Sequence, residues 1–309
     1  SNDCLVYRMT SDDGYGLMTS YQVFPGIELI YNDFHTGSCF QNKLPYNDII
    51  EINHCRLGRF ECDFNDGSYV YLEEGDLSVN MLEVKTRNSC FPLEHYHGVS
   101  VVIDLPVAAK SISSVLSDIS IDLYGLRERL CPNNRCFIMR AVDSVEHIFS
   151  ELYRVPDKIK QGYFKLKVLE LLLFLSIVQV PDKLEQRRYF NKSQVDSVKA
   201  IKEYMTSNLE CHYTLDELSN RFNIPLTAMK QCFKGVYGTP VYAFMRSYRI
   251  QSAAALLRQN RESISSVAGK VGYINSSKFA AAFKEVMGMS PLEYRNINCL
   301  NRVGTGQSE

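Results

Sequence analysis

Residues 263–285 read SISSVAGKVGYINSSKFAAAFKE, an apolar helical pattern that breaks at Gly272 and restarts behind Asn275. Set against TLDELSNRFNI at 214–224, the first part of this stretch is a repeat. Thr214, Leu215, Leu218, Ser219 and Phe222 fall on Ser263, Ile264, Val267, Ala268 and Val271. The register then gains one residue, and Phe233, Lys234 and Gly238 fall on Phe283, Lys284 and Gly288, with Pro240 and Pro291 close behind. Each copy reads as a short helix, a brief break, and a second helix that ends at a Gly before a Pro. That is the pattern of a helix-turn-helix, in which the turn lets two helices cross steeply and leaves the second one projecting. Gly272 is then the turn, Asn275 the N-cap of the projecting helix, and Ser276, Ser277 and Lys278 its first turn.

The background of the repeat is basic. Residues 183–309 carry 18 Lys+Arg against 10 Asp+Glu, whereas residues 1–182 carry 16 against 25, so the net charge of −1 hides two halves of opposite sign. A basic half carrying two helix-turn-helix copies points to nucleic acid as its partner. A chain of 309 residues calls for more than one domain, and 45% hydrophobic residues with 16 Phe and 19 Tyr exclude a disordered chain. The longest apolar run, LLLFLSIVQV at 171–180, is about half of the roughly 20 residues that a membrane-spanning helix needs. The start, SNDCLVYRMTSDD, has neither the basic nor the apolar stretch of a leader, so the expected location is cytoplasmic. Ten cysteines spread along the chain without a CxxC pair are expected to be reduced thiols.

The first half has the spacing of strands. Between about 47 and 72, alternating segments are broken by turn signals at LGR, NDG and EEGD, which implies a meander of short antiparallel strands in a sandwich or barrel. From about 111 the spacing becomes helical, in SISSVLSDI, AVDSVEHIFSELY and FKLKVLELLLFLSIV. Val142, Val145, Ile148, Phe149 and Leu152 form one apolar stripe. Val168, Leu169, Leu172, Leu173 and Leu175 form a wider one, apolar enough to need cover from its own domain or from a second copy of the chain. PDKLEQRRYFNKSQ at 181–194 reads as a linker.

The run from Val195 to Arg295, above all AGKVGYINSSKFAAAFKEVMGMSPLEYR, resembles the AraC/XylS family of bacterial transcription regulators. The resemblance implies two helix-turn-helix units joined by one long helix, here about 240–258, with Thr239 as cap and Pro240 at its first position. It also implies that LTAMKQCFK and NSSKFAAAFK enter successive major grooves of double-stranded DNA. The first presents Thr227, Lys230, Gln231 and Lys234 around inward Met229 and Phe233. The second presents Ser276, Ser277, Lys278, Ala280, Ala281 and Lys284 around inward Phe279 and Phe283. Pro225 stands where family members commonly have a capping Ser, and alanines stand in the second helix where a long donor often sits.

For the first half the resemblance implies a cupin-like sensor barrel, with YLEEGDLSVN as its Gly-Asp turn and a small-molecule effector as its ligand. The candidate effector contacts are His54 and Arg56, which share a strand face with Ile50 and Ile52, together with His95 and His97. His95-Tyr96-His97 places two rings on one strand face, but no Glu and distant His follow at cupin spacing, so no metal and no cofactor are expected.

The expected fold class is α+β: an antiparallel cupin-like barrel at 1–110, a helical dimerisation region at 111–180, the linker at 181–194, an all-α DNA-binding domain at 195–297 and a flexible tail at 298–309. The expected function is non-enzymatic, that of a homodimeric, effector-responsive activator that works with RNA polymerase. Two other readings remain open. One is a metal-dependent cupin enzyme with a DNA-binding tail. The other is a DNA-repair methyl acceptor, which would need zinc-clustered cysteines that Cys4, Cys39, Cys55 and Cys62 do not form by spacing.

Overall fold

The computed structural model describes residues 4–11, 13–37, 48–63, 67–82, 89–115, 121–134, 136–180, 190–259 and 262–303. It divides into two compact units, Ser1–Asn191 and Lys192–Glu309.

In the first unit the strands are β1 (Leu5–Ser11), β2 (Gly14–Phe24), β3 (Ile27–His35), β4 (Ile49–Gly58), β5 (Phe60–Asp63), β6 (Ser68–Leu72), β7 (Leu77–Met81), β8 (Ser89–Cys90), β9 (Tyr96–Asp104), β10 (Phe137–Met139) and β11 (Phe190–Asn191). Its helices are α1 (Leu105–Val115), α2 (Leu123–Leu130), α3 (Asp143–Leu152) and α4 (Lys160–Ile177). The strands form a seven-stranded sheet in the order β1-β2-β3-β9-β4-β7-β10 and a four-stranded sheet in the order β11-β6-β5-β8. All pairings are antiparallel.

This corrects the expected meander. The turns at Leu57-Gly58-Arg59 and Glu73-Glu74-Gly75-Asp76 fall where the sequence placed them, but at each the chain passes from one sheet to the other. Consecutive β4 and β5 are therefore not partners, and β4 pairs instead with β7 and the distant β9. The antiparallel barrel expected from the sequence takes the form of two facing sheets that are hydrogen-bonded separately.

The period of two along each strand gives the large sheet two different faces. Ile27, Leu29, Ile50, Ile52, Val99, Val101 and Ile103 share one core with Val145, Ile148, Phe149, Leu152, Phe164, Val168 and Leu172 of the helices. Each of these side chains contributes about 1.5–3 kcal/mol by leaving water. The opposite face packs Phe34, Cys55 and Tyr96 against Cys62, Val70 and Leu72 of the small sheet. Four polar side chains on that face are hydrogen-bonded together: Asn32 donates to Ser100 Oγ (2.8 Å), and both Tyr96 Oη (2.7 Å) and Ser100 Oγ (3.3 Å) donate to Asn53 Oδ1. Gly98 makes this possible, because a Cβ there would collide with the Tyr96 hydroxyl and stand 2.6 Å from the His54 carbonyl oxygen.

The helices expected at 111–180 are thus part of the first unit's core rather than a separate layer. The two stripes are divided accordingly. Leu172 and Leu175 are buried, while Val142 and Leu173 are exposed. Residues 181–189 of the expected linker and Cys39 lie outside the described residues. The rest of the linker call is corrected: Phe190 and Asn191 pair with β6, and a helix begins at Lys192. At the other end, the final helix runs to Val303, into the stretch expected to be a flexible tail, because its Ser290 and Glu293 form a reciprocal cap at the start and no breaker follows Pro291. Among the described residues no helix is long and apolar enough to cross a membrane. Cys4 and Cys55 are free thiols.

Candidate nucleic-acid interface

The second unit is built from α5 (Lys192–Thr206), α6 (Leu215–Arg221), α7 (Leu226–Tyr237), α8 (Val241–Gln259), α9 (Ile264–Lys270), α10 (Ser276–Met287) and α11 (Pro291–Val303). α6 with α7 and α9 with α10 are the two helix-turn-helix units, and α8 packs against α7, α9 and α10. α8 starts one residue after Pro240, and its 19 residues span about 28 Å at 1.5 Å per residue.

The two units repeat the same backbone return bond at the turn. In the first, Asn223 adopts a left-handed backbone (φ 48°) and the Ile224 amide donates to the Ser219 carbonyl (3.1 Å). In the second, Gly272 adopts φ 83° and the Tyr273 amide donates to the Ala268 carbonyl (2.9 Å). A left-handed residue followed by this return bond closes a helix C-terminus and aims the chain into the next helix. The second turn holds one residue more, Ile274 and Asn275 in place of Pro225, which explains the shift in repeat register.

The following helices begin differently. Asn275 caps α10, its Oδ1 accepting from the amides of Ser277 (2.9 Å) and Lys278 (3.0 Å). Pro225 precedes α7 and provides no side-chain cap, yet the helix still starts at Leu226 because φ of −55° and ψ of 135° lead into the first turn. α7 and α10 both run for 12 residues and end at left-handed Gly238 and Gly288, whose amides return to Lys234 and Lys284.

Met229, Phe233, Phe279 and Phe283 are completely buried and fix the rotation of each helix about its axis. Thr227, Lys230, Gln231 and Lys234 stand exposed on one face of α7. Ser276, Ser277, Lys278, Ala281 and Lys284 are exposed on α10, while Ala280 is half-buried. Three groups support these faces. Arg246 of α8 holds Glu285 of α10 through two hydrogen bonds, one from Nη1 at 2.8 Å, and this keeps the Glu285 carboxyl below its ordinary range. Arg249 of α8 donates from Nη2 to the Cys211 carbonyl (2.7 Å) and lies 3.2 Å from His212 Nδ1. His212 Nε2 is in turn 2.7 Å from the Gly272 carbonyl, so the second turn is tied to the segment before α6.

The sequence reading did not single out Ile274, whose side chain is 100% exposed beside the start of α10. Its signal was the apolar residue inside an otherwise polar turn.

In the first unit Arg56, His95 and His97 lie near one another, but the four effector candidates do not share one exposed pocket face with His54. His54 is 2% exposed, because the face it shares with Ile50 and Ile52 is covered by helices; its ring stacks on Phe149 at 4.2 Å and 5°. Burial lowers its pKa to about 4. Arg56 is the extra residue of a bulge between Cys55 and Leu57, and its guanidinium lies 3.9 Å over the Tyr153 ring. The pair expected of His95 and His97 is broken up, since His95 follows left-handed Glu94 ahead of β9 and its Nδ1 lies 2.9 Å from the Leu93 carbonyl. His97 is in the strand and meets Asp33 of β3 instead, Nε2 to Oδ1 2.9 Å.

The helix-turn-helix domain family matches residues 218–297. The transcriptional activator RhaR of Mannheimia succiniciproducens is 21% identical over 124 residues, which are 40% of this chain and 45% of that protein. The F1 operon positive regulatory protein of Yersinia pestis is 31% identical over 102 residues, 33% of this chain and 34% of that protein. The chain therefore spans less than half the length of either relative. A solved structure of unsaturated fatty acid bound ToxT from Vibrio cholerae aligns with 86% of this chain and 94% of that one at 14% identity, with a TM-score of 0.34. With the repeated turns and the family match over residues 218–297 in place, the C-terminal part of the chain is a helix-turn-helix domain similar to those of AraC-like transcription regulators.

Proposed function

We propose that the protein is a sequence-specific DNA-binding transcription regulator that inserts α7 and α10 into successive major grooves on one face of the duplex. The observation that carries this reading is the duplication itself: two equally long helices, fixed by the same buried positions, present exposed polar faces from one bridging helix. A bridge of about 28 Å suits recognition helices one DNA turn, roughly 34 Å, apart. Thr227, Lys230, Gln231, Lys234, Ser276, Ser277, Lys278, Ala281 and Lys284 make the contacts, Lys230 and Gln231 to base edges and Lys278 to phosphate. The excess of Lys and Arg in this half supplies counterion release.

The first unit receives the signal, a small molecule, and transmission to RNA polymerase makes the protein an activator rather than an enzyme. The domain limits that fit this reading are a sensor unit to Asn191 and a DNA-binding unit from Lys192. Homodimerisation runs through the outward side of α4, where Leu166, Leu173 and Ile177 are exposed at 66%, 38% and 76%. Leu172 belongs to the core and takes no part in it. Changing Leu166 and Leu173 together to Glu is expected to give folded monomers in sedimentation; a persisting dimer would place the interface elsewhere.

The experiment for the main reading is a titration of the full chain against its promoter duplex and a scrambled duplex at several salt concentrations. Preference for the promoter by a factor of at least about 1,000, with affinity falling steeply as salt rises, is expected. Equal, salt-insensitive binding of both duplexes would overturn it.

A further inference from the structure

On the helix-covered face of the large sheet, at the end away from the Ile and Val core, three side chains come together from two strands. Asp33 and His35 are two residues apart on β3 and so share a face, and His97 on β9 stands directly opposite Asp33 in the register. His35 Nε2 and His97 Nε2 each lie 2.9 Å from the same oxygen, Asp33 Oδ1. The three donor atoms all fall within 4.8 Å of one another.

That shared oxygen is shielded from solvent and has no hydrogen-bond partner among the described residues. A carboxylate oxygen stripped of water costs stability unless a cation or a donor meets it. The rings are nearly perpendicular, 84° with centroids 5.5 Å apart, so two nitrogens converge on the oxygen from different directions. Metal bonds of about 2.0–2.1 Å put neighbouring donor atoms about 2.9 Å apart at a right angle and about 3.3 Å apart at the tetrahedral angle, so the 2.9 Å from the carboxylate to each imidazole needs at most a small opening to admit an ion.

We propose that Asp33, His35 and His97 form a binding site for a divalent first-row transition-metal ion of the Zn²⁺ or Co²⁺ class. Two imidazoles and one carboxylate suit a borderline ion and not Ca²⁺ or Mg²⁺, which take oxygen donors. Three protein ligands leave further positions for water or an exogenous ligand. Arg56 precedes Leu57, which stands opposite His97, so its charge works against a cation here and nitrogen ligation is the source of affinity. His95 takes no part, because its ring does not belong to the cluster formed by Asp33, His35 and His97. The site does not depend on the DNA-binding reading, and its test reads metal directly.

The test is titration of the untagged, chelator-stripped full chain with Co²⁺ at pH 7.5, followed by its visible absorption, and with Zn²⁺ by calorimetry. One equivalent is expected, with the weak bands of nitrogen and oxygen ligation and without the intense near-ultraviolet band of thiolate ligation. His35→Gln and His97→Ala, both at half-exposed positions, should each weaken binding at least about 100-fold, the upper end of what loss of even an outer-shell partner costs. His95→Ala should bind as the unaltered chain does. No binding up to millimolar metal, a thiolate spectrum, or unchanged affinity in both His35→Gln and His97→Ala would overturn the assignment. Circular dichroism melts of the variants without metal identify any that fail to fold, and the remaining variant then decides.

Discussion

The two helix-turn-helix units share a backbone and differ in nearly every exposed residue of their projecting helices. Met229 and Phe233 in one match Phe279 and Phe283 in the other, all buried, and Gly238 matches Gly288 as a left-handed cap. On the outer faces, Thr227, Lys230, Gln231 and Lys234 match Ser277, Ala280, Ala281 and Lys284. Only the short hydroxyl and the final lysine keep their chemistry. Positions that set where a helix lies are thus separable from positions that set what it meets. The first unit offers a long amide and an ammonium at the centre of its face, and the second offers methyl groups there.

The turns differ too, and the largest expected effect lies in them. Gly272 has φ 83°, and a Cβ there would stand 2.5 Å from the Leu209 carbonyl oxygen, whereas Asn223 already carries a side chain at φ 48°. A left-handed backbone costs a non-glycine residue about 1–2 kcal/mol, and the collision adds to it. Gly272→Ala is expected to destabilise the second unit by about 3 kcal/mol in urea unfolding, while Asn223→Gly stays within about 0.5 kcal/mol. Equal losses would show that the two turns carry the same constraint.

Next in size is the division of labour in DNA binding. Gln231→Ala should cost about 1–3 kcal/mol at the specific site and relax preference at one or two base pairs, with little effect on scrambled DNA. Lys278→Ala should weaken both duplexes alike and lower the salt slope by about one unit. Titrations at several salt concentrations read both, and equal loss of specificity in the two variants would erase the distinction between the faces.

The smallest effect concerns the starts of the helices. Asn275→Ala removes a cap that serves two amides and should cost about 1 kcal/mol. Pro225→Ser supplies the missing acceptor and should gain a few tenths. Thermal melts of both variants check the contrast, and a loss on placing Ser at 225 would mean that proline's fixed φ matters more than a cap.

These local devices were legible in the sequence because each works over a few residues. Gly272 as the turn and Asn275 as the cap follow from the repeat, and the inward Met and Phe positions follow from the family resemblance. The first unit was legible only as a strand-rich half followed by helices. What its sequence does not display is which strands pair, since Asp33 meets His97 across a long stretch of chain and β4 leaves its neighbour β5 for β9. The same non-locality hides the surroundings of the candidate side chains from the sequence. His54 shares the face of Ile50 and Ile52, which α3 covers, and the neighbours of His97 are Asp33 and His35 of another strand besides His95 of its own. The Asp-x-His pattern in β3 was the one signal available, and it means little until the strand opposite is known.

The most direct test of unequal reading is a scan of binding affinity against single base-pair changes across the whole promoter site, made with the unaltered chain and with Gln231→Ala. Two blocks of sensitive positions about ten base pairs apart are expected, one steep and one shallow, with Gln231→Ala flattening the steep block and leaving the shallow one unchanged. A single block, or a steep block abolished by Ser277→Ala and untouched by Gln231→Ala, would contradict the account.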